Sequence, residues 1–439
     1  MTFSKAKLIP YAIAVGAIGL VGFLQSLRHW SQHGQMIERV EAMTYDWRQK
    51  AALNHNPPCA TNLGFINIGD EDIRRVEDGM NGSLDYQFGL YWPRQVYARM
   101  VREIAAEGAR LVAFDVLFAG LRPDHPPVMV GTNLVSSDEF LADEMRAANC
   151  VAIAMGKELL PHRSFRDAAM RVGDISTDKD SDGVLRRAHA FRKFPILHSK
   201  IEQFALKNDF DLSKTVIKSH ESITLWDERR TTNIVVQLQS DNRFDIGRFQ
   251  AQLGLPGPPE GVMHGVGYRE LTVWHMGIVM AAAHLGLDLD KAEVDERRHE
   301  IKLPGTNGVS RVLPTDREFF FYVDWSIKSN DPRLTQENFT GLLAKEKLRR
   351  LGKPKDDNSL WKNKVIIVGS TATGNDLTDL GATPIENNAY LVGKHWNVAN
   401  SLIMNRFITR SPLGVELGII VVLGVLASGL TWKLRAPWG

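Results

Sequence analysis

The stretch Gly108-Ala109-Arg110-Leu111-Val112-Ala113-Phe114-Asp115 reads as the end of a helix, a short buried strand and a polar residue at the strand's exit. The helix opens at Trp92-Pro93-Arg94, where Pro93 suits the first turn, and Val96, Met100, Val101, Ile104 and Ala105 form its apolar face. Gly108 ends it, Leu111 to Phe114 supply four consecutive apolar residues, and Asp115 follows.

The same unit repeats on either side. Upstream, Phe65-Ile66-Asn67-Ile68 is a short β-rich run, after which Asp70, Glu71 and Asp72 place a cap and negative charge at a helix N-terminus. Downstream, Ser136 and Glu139 form a capping box for a helix over 138–148, and Cys150-Val151-Ala152-Ile153-Ala154 is the next strand. Strand and helix alternating at this spacing predict an α/β fold: a mainly parallel sheet with helices on both faces. Periodicity weakens over 199–268, a candidate insertion in which Leu255-Pro256-Gly257-Pro258-Pro259 reads as a rigid turn or linker. It returns with a helix over Leu271–Leu285, strands over His299–Leu303, Phe319–Val323 and Val365–Val368, and a last helix near Val398–Asn405.

Two apolar stretches bracket this pattern. Leu8 to Leu24 carries no charge and is preceded by Lys5 and Lys7; Leu417 to Trp432 lies between Glu416 and the pair Lys433 and Arg435. Lengths near 20 residues match the hydrocarbon thickness of a bilayer, and basic flanks mark the cytoplasmic side. No small-x-small cleavage site follows the first stretch before Arg28, His29 and Trp30, which favours an uncleaved anchor over a signal peptide. The expected organisation is a cytoplasmic N-terminus over 1–7, a transmembrane helix over 8–24, an extracytoplasmic domain over 25–412, a second transmembrane helix over 413–432 and a cytoplasmic tail over 433–439. A bacterial inner membrane, spanned twice with both termini inside, is the expected location.

Composition limits the remaining classes. Charged residues make up 24% of the chain and hydrophobic ones 44%, enough for a core and a solvated surface, while a net charge of +2 provides no basic field for nucleic acid. Cys59 and Cys150 permit one disulfide in an oxidising compartment if their Cα atoms approach within about 7 Å, and their spacing supports no zinc site. Residues 25–54 read as a helix leaving the membrane, with Met36, Val40, Met43 and Trp47 at the seam spacing of a short coiled coil. Packing of this stripe on its own domain is the favoured reading.

Three loops carry polar groups suited to binding. Asp178-Lys179-Asp180-Ser181-Asp182-Gly183 fits the opening of a calcium loop, with Asp178, Asp180 and Asp182 as oxygen ligands. The twelfth position holds His189 where a bidentate Glu is expected, and an Asp- and Gly-rich turn explains the residues equally well. Gly369-Ser370-Thr371-Ala372-Thr373-Gly374 has the glycines of a phosphate cradle, but Asn375 and Asp376 stand where Walker A needs Lys and Ser or Thr. Ser370 also lacks the flanking glycines of a nucleophile elbow, since Val368 and Ala372 occupy those positions. Ligands of open parallel sheets bind outside the carboxyl ends of strands, so Asp70, Asp115, Ser370, Thr371 and Thr373 are candidates to line one crevice for a small polar ligand or cation.

Several ordered segments resemble the second type of CHASE domain, an extracytoplasmic sensory module of bacterial cyclases and histidine kinases. They are Tyr45-Asp46-Trp47-Arg48, Trp92-Pro93-Arg94, Gly108 through Phe118, Asp180-Ser181-Asp182-Gly183-Val184-Leu185-Arg186-Arg187, and Lys364 through Gly374. The block ending Phe114-Asp115-Val116-Leu117-Phe118 and the late Val365–Gly374 block are the most specific, and the resemblance spans most of residues 40–405. It implies a sensor that passes an environmental signal across the membrane. Such modules are commonly followed by several spans and a catalytic or kinase domain, so with only residues 433–439 after the second stretch, a partner or an output domain elsewhere is expected to carry the signal. The Gly393-Lys394-His395-Trp396-Asn397 segment follows the family's late pattern only loosely, and no role passes to His395. No catalytic constellation and no cofactor are expected. The expected partners are the membrane, a second copy or a signalling partner, and a small ligand; the alternatives are an assembly component of the cell envelope and, third, an envelope enzyme.

Overall fold

In the computed structural model, which describes the chain apart from residues 1–4, 31–34, 80–91, 157–158, 228, 230, 255, 257–262, 354–358, 374–377 and 434–439, Leu111–Phe114 is an interior strand of an eight-stranded sheet. The strands are β1 Leu63–Ile68, β2 Leu111–Phe114, β3 Val151–Met155, β4 Arg171–Asp174, β5 Phe191–Leu197, β6 Tyr268–His275, β7 Thr335–Asn338 and β8 Val365–Ser370. Their spatial order is β7-β1-β8-β2-β3-β4-β6-β5, and every neighbouring pair is parallel except β5 and β6.

Alternation along the central strands fills two cores, because successive side chains on a strand point to opposite faces. Phe65, Leu111, Ala113, Val365 and Ile367 enter one core, where Met276–Leu285 and Gly393–Ile403 pack. Ile66, Val112, Phe114, Ile366 and Val368 enter the other, under Arg94–Ala106, Ser137–Ala148 and Phe339–Arg350. Covered on both faces, such strands read in sequence as unbroken apolar runs. The helices that cover the sheet or flank it are, in chain order, α1 Lys5–Trp30, α2 Gln35–Leu53, α3 Asp70–Glu77, α4 Arg94–Ala106, α5 Ser137–Ala148, α6 Met276–Leu285, α7 Phe339–Arg350, α8 Gly393–Ile403 and α9 Leu413–Lys433. Ser136 caps α5 as expected, its hydroxyl accepting the Glu139 N–H at 3.1 Å.

Residues 199–268 leave and rejoin the sheet at one place, since Tyr268 pairs with Leu197 across β6 and β5. Between those residues the chain builds a cluster of its own around Ile201, Ile223, Leu225, Val236 and Phe244. Of the expected linker Leu255–Pro259, residues 255 and 257–259 lie outside the described residues. The helix expected over Leu271–Leu285 begins only at Met276, because Leu271 to Trp274 are held in β6 by pairing with Phe194 to Phe191.

Among the described residues one helix is long and apolar enough to cross a membrane, by length and composition: Leu413–Leu430 of α9 has a mean hydropathy of 2.3 and none of it is buried. The apolar part of α1 that meets the same criterion of composition is the shorter Ile13–Leu24. The two helices pack antiparallel: a Cβ on Gly22 would lie 3.5 Å from Leu417, and one on Gly424 would lie 2.3 Å from Ile18.

Helix α2 docks by the face opposite to the one expected. Tyr45 is buried, donates its hydroxyl to the Val323 carbonyl at 3.2 Å and packs against the tilted ring of Tyr322, whereas Val40, Met43 and Trp47 are 57%, 70% and 71% exposed. The reading of that stripe as self-packing is thus corrected; the Met36 side chain lies outside the described residues. Cys59 and Cys150 are free thiols, not a disulfide, and burial pushes both thiol pKa values up.

Candidate functional site

After β1 and β2 the chain turns to the α4 and α5 face, but after β8, which lies between them, it passes to α8 on the opposite face. Chains that diverge in this way leave a crevice outside the carboxyl ends of a parallel sheet. A cavity of about 420 Å³ lies there, lined by Ile68, Asp115 and Ser370 from the strand exits, Trp92, Arg94 and Tyr97 from the start of α4, and Leu391, Val392 and Lys394 around the start of α8. Its size is that of a small-molecule site, largely apolar with a few polar groups.

Gly369 sets the approach of α8. A Cβ there would meet Val392 Cγ2 at 2.7 Å, so only glycine lets the helix start seat against the end of β8. Lys394 and His395 are thereby buried over the strand ends, at 3% and 0% exposure. The Lys394 ammonium donates to the Thr177 hydroxyl at 2.6 Å, and that hydroxyl donates to Asp379 at 3.2 Å. His395 Nε2 lies 3.6 Å from Asp115 Oδ2, longer than a hydrogen bond. Burial alone would raise the Asp115 carboxyl, but His395 and Lys394 more than offset that and hold it below the usual carboxylate range. Burial also lowers Lys394, against the opposing pull of Asp115 and Asp379.

At the other end of the cavity, Arg94 is 8% exposed and lies over the Phe118 ring, 4.7 Å from its centroid. Its Nη2 donates to the Gly120 carbonyl at 3.4 Å, and its Nε stands 3.8 Å from Asp138 with no hydrogen-bond partner among the described residues. Tyr97 beside it has its hydroxyl pKa pushed up to about 12 by burial.

Of the residues expected in the crevice, Asp115 and Ser370 line it. The Ser370 hydroxyl bonds the Thr378 hydroxyl at 2.8 Å. Asp70, Thr371 and Thr373 do not line it, a correction with a simple cause: their polar groups are used to join two loops. Asp70 accepts from the Thr373 amide and hydroxyl at 3.1 and 3.0 Å, and Thr371 donates to Asn67. Arg94, Asp379 and Lys394 were missed. Arg94 stands in a motif that reads first as a helix start, and nothing local to Lys394 announces its burial.

The calcium reading of Asp178, Asp180 and Asp182 is corrected too. These carboxylates answer to three arginines rather than to one centre: Asp178 pairs with Arg192, Asp180 and Asp182 meet Arg186 at 3.1 and 2.8 Å, and Asp180 also meets Arg187 at 3.0 Å. A guanidinium at the heart of the turn repels a cation, and no group of three or more metal-ligating side chains occurs among the described residues. Arg186 also forks onto Asp46 of α2, Nε to Oδ1 at 2.8 Å and Nη2 to Oδ2 at 2.7 Å. The segment from Thr177 to Arg186 therefore joins Lys394 in the cavity to α2 through side-chain contacts at both ends.

Two buried histidines sit behind the cavity. His275 accepts the Gly277 amide on Nδ1 at 3.1 Å, and its ring centroid is 5.2 Å from that of His395. Burial depresses both, His275 well below the ordinary histidine value, and the positive charges of Lys394 and Arg192 add to the effect at His275. His162, His189, His198 and His284 are depressed in the same direction, chiefly by burial. A group with a lowered folded-state pKa binds its proton more readily when unfolded, so this stability is present above the unfolded value, about 6.5, and is lost as pH falls below it. The melting temperature is expected to fall steadily between about pH 6.5 and 5, with a shallower slope in His275→Gln. Equal slopes in the two proteins would show that the pair does not carry the effect.

A comparison with protein families matches residues 17–430 to the CHASE2 domain, nearly the whole chain. Comparisons with curated proteins and with solved structures return no match. A parallel sheet with a cavity at its switch point, tied by side chains to a helix that follows an apolar one, is thus the form taken here by a sensory module, and the chain belongs to the CHASE2 domain family.

Proposed function

We propose that this chain is a membrane-anchored sensor of the bacterial inner membrane, with residues 25–412 outside the cytoplasm and both termini inside. Stretches 8–24 and 413–432 are its two spans. The antiparallel contact of Gly22 with Leu417 and of Ile18 with Gly424 supports the first span, since it lays α1 along the helix of membrane length. In this reading the cavity receives the stimulus, Asp115 and Ser370 belong to its recognition surface, and the chain has no catalytic role. Ser370 bonds Thr378 and the Ile68 carbonyl rather than a histidine, which leaves it without the base a nucleophile needs.

The observation that carries the proposal is the side-chain connection from Lys394 through 177–186 to Asp46. Occupation of the cavity biases the position of that segment, the Arg186 fork passes the change to α2, and α2 passes it to the spans and to a partner or output domain. The exposed stripe Val40, Met43 and Trp47 supports pairing of α2 with a second copy.

Single cysteines in a Cys59→Ser, Cys150→Ala background test both halves. In intact cells stripped of the outer envelope, a membrane-impermeant maleimide is expected to label Ser213→Cys, and Ala436→Cys only after permeabilisation; the reverse pattern defeats the topology. Met43→Cys and Trp47→Cys are expected to crosslink between copies, and monomeric behaviour of both defeats the pairing. A crosslink whose yield is the same under every stimulus favours an assembly role over sensing.

A further inference from the structure

Two imidazole N–H groups behind the cavity lack an acceptor among the described residues. His275 Nδ1 accepts the Gly277 amide, so its own proton sits on Nε2, and that atom is buried without a partner. His395 is fully buried with neither ring nitrogen hydrogen-bonded, and the Asp115 carboxylate stops 3.6 Å from its Nε2. The rings meet because Gly277 lets α6 seat on α8: a Cβ there would lie 2.5 Å from the His395 carbonyl oxygen. Lys394 on the same helix, Asp115 at the exit of β2 and Asp174 at the exit of β4 act on His395, and Lys394, Arg192 and His189 act on His275. Asp174 is already engaged by Arg192 at 2.9 Å and by the Ser176 hydroxyl at 2.5 Å, so Asp115 is the carboxylate placed to pair with His395. Its side chain is 18% exposed and lines the cavity, which gives protons a route to the buried ring.

We propose that the stimulus read at this site is the proton: on acidification His395 takes one proton, closes on Asp115, and so loosens Lys394 from Thr177 and the 177–186 segment from α2. The inference rests on the reading of this cavity as the stimulus site. A buried donor left unpaired costs free energy, and a charged hydrogen bond to Asp115 removes that cost. Forming it brings the ring about 0.7 Å nearer the carboxylate. His395 and Lys394 are neighbours on one helix and draw on the same carboxylate, so an imidazolium bound to Asp115 takes that attraction from the ammonium and repels it. Only one ring of the pair charges, since centroids 5.2 Å apart make a second positive charge unfavourable. Burial holds both imidazoles below the ordinary histidine value while α8 is docked. A looser, wetter arrangement therefore binds the proton more tightly and gains population as pH falls below about 6.5, whereas the docked one prevails above it.

Pulsed electron paramagnetic resonance on the full chain in lipid nanodiscs tests it, with nitroxides on Met43→Cys of α2 and Glu318→Cys of the domain in the Cys59→Ser, Cys150→Ala background. Both positions are exposed, and an excess of unlabelled chain confines the signal to distances within one molecule. Labels are attached at neutral pH, and samples are then frozen at steps from about pH 7.5 down to about 4.5. The distance distribution is expected to lengthen and broaden with acid and to recover on return to neutral pH. In His395→Gln the neutral-pH distribution is expected to persist throughout. In Asp115→Asn the midpoint is expected to fall by about one unit or more, a tenfold loss of proton affinity, because the imidazolium has lost its counter-ion. Should His395→Gln fail to fold, Asp115→Asn decides alone. A distribution that is the same at every pH, an acid change that does not reverse, one that survives in His395→Gln, or a midpoint unmoved or raised in Asp115→Asn each overturns the proposal. Maleimide labelling and crosslinking are carried out at neutral pH, so they can succeed while the distances stay fixed, and then the proton alone falls as the stimulus.

Discussion

Arg186→Ala is expected to lower stability by about 3 kcal/mol and to release α2 from the domain. The arginine side chain is 3% exposed and binds Asp46, Asp180 and Asp182 together. Removing it leaves Asp46 and Asp182 without their cation, with only Arg187 remaining on Asp180, and the loss of one partner from a buried ionic group costs more than the intact group contributes. The estimate is at the low end of that range because the aspartates are 20 to 32% exposed and water relieves part of the repulsion. Arg186→Lys restores little, since an ammonium cannot fork onto Asp46 while bonding two further carboxylates. Thermal unfolding in nanodiscs reads the stability. Faster thiol labelling of a cysteine at Tyr45, which is buried in the docked helix, reads the release. If stability falls and Tyr45→Cys stays protected, the arginine holds only its own loop and the proposed connection is broken.

Lys394→Met carries the second large effect, a loss of about 3 kcal/mol, for a related reason. Methionine fits the space but removes the cation on which Asp115 and Asp379 both act, and it also leaves the Thr177 hydroxyl without its donor. Part of the loss is expected to return in the double variant Lys394→Met, Asp115→Asn, because neutralising the second group removes the charge left unpaired. Melting temperatures of the two single variants and the double form a thermodynamic cycle whose coupling isolates the pair. Strict additivity in that cycle would mean that Lys394 is held by Thr177 alone.

How far the fold can be read from the sequence depends on the kind of residue that does the burying. Strands β1, β2, β3 and β8 stand out because a strand covered on both faces must be apolar at every position. Helix α8 does not: it begins at Gly393, well before the Val398 expected, because its first turns bury Lys394, His395, Asn397 and Asn400. Lys394, Asn397 and Asn400 can be buried there because each finds a hydrogen-bond partner far away in the chain. Asn397 accepts the Ser326 and Ile327 amides at 3.0 and 2.9 Å, and Asn400 accepts the Ala60 amide at 2.9 Å. Apolar periodicity is blind to such a helix. The start of β6 was hidden for the converse reason, since Leu271 to Trp274 suit a helix locally and are made a strand by pairing with β5.

By itself, the sequence determined the alternation of strand and helix, the two apolar stretches, and the presence of Asp115 and Ser370 at strand exits. Those are properties of near neighbours, set by hydropathy and by the spacing of side chains along one element. Tertiary structure decided which strand exits share a cavity, because the order β1-β8-β2 places the last strand between the first two. It also decided that Asp70, Thr371 and Thr373 serve the loops instead, and that the carboxylates of 178–182 meet arginines rather than a cation. Asp46 and Arg186 lie 140 residues apart in the chain, and only the packing of α2 on the domain brings their charges within hydrogen-bonding reach.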